Sequence, residues 1–147
     1  MSFGFGVGDI MAISTLAANV ISAYKDAPND YKHIAEEVKS LEIVINTAAQ
    51  HFQHNTTPSN DKWRDCQEIL KGCHSVLTDL NSLIEKYNSL APANKNQAFQ
   101  RVMLGTEDIA TLRARLTSNT TLLSSFIQRF GVFFTIASIL SLTVFLF

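Results

Sequence analysis

Cys73 and His74 come nearest to chemistry of any pair in this sequence. A thiol beside an imidazole can make a nucleophile, provided the ring is close enough to take the thiol proton. Adjacent residues on a helix point about 100° apart, which removes that contact if the stretch is helical. His51 and His54 could share a metal ion, but no further ligand stands nearby. The chain turns directly after them into His54-Asn-Thr-Thr-Pro-Ser-Asn60, a loop by composition. Cys66 and Cys73 lie two helical turns apart, about 10 Å. That separation is beyond the reach of a disulfide within one helix, so both read as reduced core residues. Gly4, Gly6 and Gly8 alternate with Phe3, Phe5 and Val7 at the start of the chain. No Gly-Lys-[Ser/Thr] follows to make a phosphate-binding loop, and no strand precedes to make a dinucleotide site. Two readings of this opening stay open: a flexible leader pinned by its two phenylalanines, or a membrane-seeking tip. No catalytic, metal-binding or cofactor-binding set is expected.

The elements that carry these residues are helical by pattern. The chain has 147 residues, enough for one domain with a real core. Its 12 basic and 13 acidic side chains nearly cancel, which leaves no electrostatic footprint for nucleic acid. The first helix is expected from Asp9 to about Lys25, with Asp9 as N-cap and a seam of Ile10, Ile13, Ala17, Val20 and Tyr24. Asp26-Ala27-Pro28-Asn29 breaks it, because Pro28 cannot continue a helix. The second helix is expected from about Asn29 to Gln53. Its seam is Tyr31, Ile34, Val38, Leu41, Ile45, Ala48 and Phe52, and alternating steps of three and four mark a bundle.

A third helix, from about Ser59 to Ser89, repeats the pattern with Trp63, Cys66, Leu70, Cys73, Leu77, Leu80, Ile84 and Tyr87. Gly72 lies inside it and suggests close approach by another helix. After the loop Leu90–Asn96 comes a short helix, Gln97 to Leu104, ended by Gly105. Thr106 then caps a last helix, with Glu107 and Asp108 in its first turn, where the helix dipole favours acid. Its seam runs Ile109, Leu112, Leu116, Asn119, Leu123, Phe126, Phe130. Asn119 is the one polar seam residue; it either sets register or lies near the surface.

This last helix can run on into residues of another character. Every charged side chain lies between Asp9 and Arg129, and the 18 residues from Phe130 to Phe147 carry none. Phe130, Phe133, Phe134, Ile136, Ile139, Leu140, Leu142, Val144, Phe145, Leu146 and Phe147 cover every face of a helix. That is the pattern of a lipid-embedded or fully buried segment. Eighteen residues rise about 27 Å, close to the lower limit for a bilayer core. These residues, with Phe3, Phe5 and Val7, are the candidates for membrane contact. A translated T-rich intron would give the same composition, because 11 of the 17 residues after Phe130 are Phe, Leu, Ile or Val. The N-terminus has no basic region and Asp9 interrupts its apolar run, so no signal peptide is expected. The expected location is cytoplasmic, with anchoring through the C-terminus if the tail is genuine.

Several stretches resemble one family, the fungal N-terminal domain of STAND receptors, NLR-like proteins that carry NACHT and ankyrin modules. They are Met1–Asp9, Asp26-Ala-Pro28, Glu36–Leu41, Lys71–Leu80 with Lys86-Tyr87, Thr106–Leu116 and Ser118–Leu123. The likeness covers about residues 1–127 and stops near Gln128. It implies a helical signalling or effector domain related to HeLo-like cell-death inducers, with a protein partner or self-association through helices. Family chains continue into a NACHT ATPase. No Walker A motif occurs here, so no nucleotide is expected as a ligand, just as the charge balance gives no nucleic acid. The fold expected is an all-α, up-and-down bundle of four long helices and one short one. Its core is Ile34, Val38, Leu41, Ile45, Leu70, Cys73, Leu77, Leu80, Ile109, Leu112, Leu116 and Leu123. The bundle is expected over 1–129 and the tail over 130–147.

Overall fold

The computed structural model describes residues 7–27, 31–54, 60–90 and 109–146, with side chains described at 8–27, 31–50, 64–86, 88 and 109–129. They form four helices: α1 (Val7–Tyr24), α2 (Lys32–His54), α3 (Asn60–Leu90) and α4 (Ile109–Leu146). No strand occurs among the described residues. The short helix expected at 97–104 and the cap at Thr106 lie outside them.

Local boundaries differ slightly from expectation. α1 begins two residues early, so Asp9 lies inside the first turn rather than at the cap. Its carboxylate still meets the positive end of the helix dipole there. The helix closes with Lys25 N donating to Ile21 O at 3.0 Å and Ala27 N to Tyr24 O at 3.1 Å. Pro28 follows in sequence and disfavours helical geometry at Ala27. α2 begins at Lys32 after a single 3₁₀ residue, Tyr31, rather than near Asn29.

The core lies where the seams meet. Ile34, Val38, Leu41, Ile45, Leu70, Cys73, Leu77, Leu80, Leu112, Leu116 and Leu123 are all buried, and Ile109 packs half-buried at the edge. α1 contributes Ile10, Ile13, Ala17, Val20 and Tyr24. Val76 and Leu83 on α3 are also buried, although they lie off its seam. They share a side of α3 with Gly72 and Asp79, the residues that meet α4, so the buried stripe is wider than a two-helix seam.

Four helix pairs pack: α1 on α2, α1 on α3, α2 on α4 and α3 on α4. The order around the ring is therefore α1–α2–α4–α3, and the chain crosses a diagonal between α2 and α3. Directions follow from polar contacts. Ser14 on α1 donates to Asn46 Oδ1 on α2 at 2.7 Å, which, with seven residues between the helices, sets them antiparallel. Tyr24, near the end of α1, donates to Leu80 O, two thirds of the way along α3, at 2.8 Å. α1 and α3 thus run parallel. Successive helices alternate in direction, while the ring holds two parallel pairs.

Tyr24 is the largest fully buried side chain among the described residues, and burial pushes its phenol pKa well above the usual value. Replacing it with Phe removes one buried hydrogen bond and keeps the ring. The expected loss is about 1 kcal/mol, against about 3–5 kcal/mol for Tyr24→Ala, which also opens a cavity. Urea unfolding followed by circular dichroism reads both; a Phe variant as stable as the parent would show that the bond to Leu80 contributes nothing.

Candidate functional site: the last helix and its attachments

α4 is the longest of the four helices, and Arg113, Arg115 and Asn119 tie it to its neighbours. Arg113 grips Glu37 of α2 with two nitrogens: Nε donates to both carboxylate oxygens at 3.1 Å and Nη2 donates to Oε1. A fork-on-carboxylate contact of this kind fixes geometry as well as charge. The contact raises the Arg113 pKa further above its usual value, chiefly through the hydrogen bond. On the other side, Arg115 Nη1 donates to Asp79 Oδ2 at 2.8 Å and Nη2 donates to Ser75 Oγ at 3.1 Å, both on α3. These arginines flank Leu112 and Leu116, at the heptad positions beside the seam where interhelical ion pairs belong. That placement was the signal in the sequence, and a search for catalytic pairs passes over it.

Gly72 and Asn119 come together. The Asn119 amide lies so close to Gly72 that an added Cβ would sit 3.2 Å from its Cγ and nearer still to Oδ1. Asn119 Nδ2 donates to Arg115 O, one turn back, at 2.9 Å. The polar seam residue is thus half-buried in the α3–α4 interface, and the glycine makes room for it.

Between α2 and α4 a groove of about 210 Å³ is lined by Glu37, Ser40, Leu116, Thr117, Thr120 and Thr121. Ser40 and Thr120 spend their protons on their own helices, donating to Glu36 O and Leu116 O. The groove's one apolar lining residue, Leu116, is buried. Large apolar residues exposed among those described are Met11, Ile43 and Leu122, one on each of three helices. Apolar residues exposed singly are ordinary.

Helical geometry separates the residues that suggested chemistry. Cys73 faces the core and His74 faces outward. Cys66 and Cys73 are both free and buried. Burial pushes each thiol up to about 12, and Cys66 is raised further by its neighbour Cys73. Almost no thiolate exists at neutral pH, so neither is a nucleophile there. Among the described residues, no three of His, Cys, Asp or Glu are grouped to hold a metal. The side chains of His51 and His54 lie outside the described set.

Register fixes where α4 leaves the bundle. Carried along the parallel pair, Glu37 opposite Arg113 sets His54, the last residue of α2, level with Phe130. The antiparallel contact of Gly72 with Asn119 sets Asn60, the first residue of α3, level with Gly131. Ser14 opposite Asn46 brings the start of α1 to the last turn of α2. α4 continues from that level to Leu146, 16 residues or about 24 Å further. Among the residues whose side chains are described, no helix is long and apolar enough to cross a membrane. The candidates Phe3, Phe5, Val7 and Phe130 to Phe147 lie outside that set.

Two outcomes follow from the α3–α4 contact and the thiols. In a double-mutant cycle, Gly72→Ala should become more favourable by about 1 kcal/mol or more when Asn119→Ala removes the obstructing amide, since Ala otherwise gains about that much in helix propensity. Additivity within about 0.5 kcal/mol would contradict the contact. Both thiols rise from 9.0 to about 12 on folding. A raised folded pKa stabilises fully below the unfolded value, so stability should hold constant with respect to these groups through neutral pH. It should fall as pH rises from 9 through 12, by up to about 1.4 kcal/mol per unit for each thiol. Guanidinium midpoints measured across that range check the slope.

Comparisons with protein-family models, with curated proteins and with solved structures find no match to this chain.

Proposed function

We propose that this chain is a non-enzymatic helical signalling or effector domain of the fungal STAND, NLR-like type. It acts through helix-mediated interaction with a protein partner or a second copy, and through association of its apolar C-terminal segment with a membrane. The process served is regulated cell death or incompatibility. One observation carries the membrane part: α4 runs on past the level where α2 ends and α3 begins, in a stretch without a charge. A water-exposed helix of that composition has an apolar surface on all sides, and lipid relieves that cost. The STAND assignment rests on the resemblance of Lys71–Leu80 and Thr106–Leu116. His74 turns outward from buried Cys73, so this pair does not bring a nucleophile to its base.

A second reading is a tail-anchored adaptor that recruits a partner to a membrane. The satisfied interior favours it. Among the described residues, no buried side-chain nitrogen or oxygen lacks a hydrogen-bond partner, so the bundle suits a body that stays folded while it recruits.

Fluorescent fusions of the whole chain and of residues 1–129 separate these readings. The whole chain is expected on membranes and the truncated form in the cytosol. Leakage from vesicles and loss of cell viability support the effector. Membrane association without either supports the adaptor. Even distribution of both fusions through the cytosol removes both membrane readings. Sequencing the transcript across codons 125 to 147 decides between an anchor and a translated intron.

A further inference from the structure

We propose that the bundle stands end-on on the bilayer, with the start of α1, the end of α2 and the start of α3 against the headgroups. This rests on the membrane reading above and adds an orientation to it. α4 is one helix from Ile109 to Leu146, and no break separates the part packed in the bundle from the part beyond it. A continuous helix transmits direction. If residues 130–146 enter a bilayer, the axis of the bundle follows the membrane normal to within the tilt of the anchor, commonly about 20°. The register of α4 against α2 and α3 places the bundle's end level with residues 130–131, where charge in the sequence also stops. Only Gln128 and Arg129 lie between Phe126 and Ile127, packed against the core, and the uncharged segment from Phe130, which is too little chain for a stalk.

α1 begins at Val7, at the same end, beside the last turn of α2. At the opposite end, Lys25 closes α1 roughly 27 Å away. Exposed Arg64 and Arg129 share the membrane end with Asp65 and Asp9, so the charges there nearly cancel. Helix continuity, and not attraction to anionic lipid, sets the orientation, and neutral phosphatidylcholine suffices.

The test uses the full chain and phosphatidylcholine vesicles with a quencher on the headgroup. A fluorophore is placed at Gln128→Cys in one variant and at Lys25→Cys in another, both exposed positions. The native cysteines are buried and do not compete for the label. The label at 128 is expected to be quenched several-fold more than the label at 25. A flexible Gly-Ser insertion between Arg129 and Phe130 should leave binding intact and make the two alike. Equal quenching in the uninterrupted chain, on protein that sediments with the vesicles, overturns the end-on orientation and leaves the membrane reading standing. Failure to sediment with vesicles at all overturns both.

Discussion

Where α4 sits along α3 is set at the point where the Asn119 amide lies against Gly72. A side chain on residue 72 would hold the helices apart or push the amide off its bond to Arg115 O. A glycine inside a helix costs about 1 kcal/mol in propensity, and here that cost admits a polar group into an otherwise apolar interface. The contact acts as a register pin. A slip of one turn would move α4 by about 5.4 Å, put Asn119 against a residue with a Cβ and break both arginine contacts. The level at which α4 clears the bundle, and so the meaning of the uncharged segment after Arg129, depends on that register.

The other interfaces follow the same division of labour. Apolar seams supply most of the stability, because burial of Leu, Ile and Val side chains is worth about 1.5–3 kcal/mol each and has no preferred direction. A polar contact then selects one arrangement at each interface. Ser14 with Asn46 serves α1 and α2, Tyr24 with Leu80 O serves α1 and α3, and Glu37 with Arg113 serves α2 and α4. Asp79 with Arg115 joins Asn119 at the fourth. The two ion pairs are partly exposed, so their worth in stability is at most about 1 kcal/mol each. Their value lies in telling α2 from α3 as neighbours of α4. With two parallel and two antiparallel pairs in the ring, apolar packing alone distinguishes these poorly.

Much of the bundle was legible before folding. Steps of three and four marked most of the buried residues of α1 to α4 because a helix facing a core must repeat near 3.5 residues; Val76 and Leu83 escaped because α3 buries a second side, and Ser14 and Ala49 because they lie beside their seams. Helix ends were read to within two or three residues at α1 and α2, since propensity near a terminus is shallow and packing decides the last turn. Gly72 signalled a close approach, and Asn119 a polar seam position. Nothing in a linear pattern said that each was the answer to the other, because the two are 47 residues apart in the chain and adjacent only in space.

By itself, then, the sequence determined which faces are buried, which thiols are unreactive and where charge ends, because each follows from local spacing and composition. Only the tertiary structure decided the ring order, with its diagonal crossing between α2 and α3, and the partners of Arg113, Arg115 and Asn119. It also brought the end of the bundle level with the last charged residue and the start of α1 to that same end. Those are relations between distant segments, and they are settled by whichever packing buries all four seams while leaving every described buried side-chain nitrogen and oxygen with a partner.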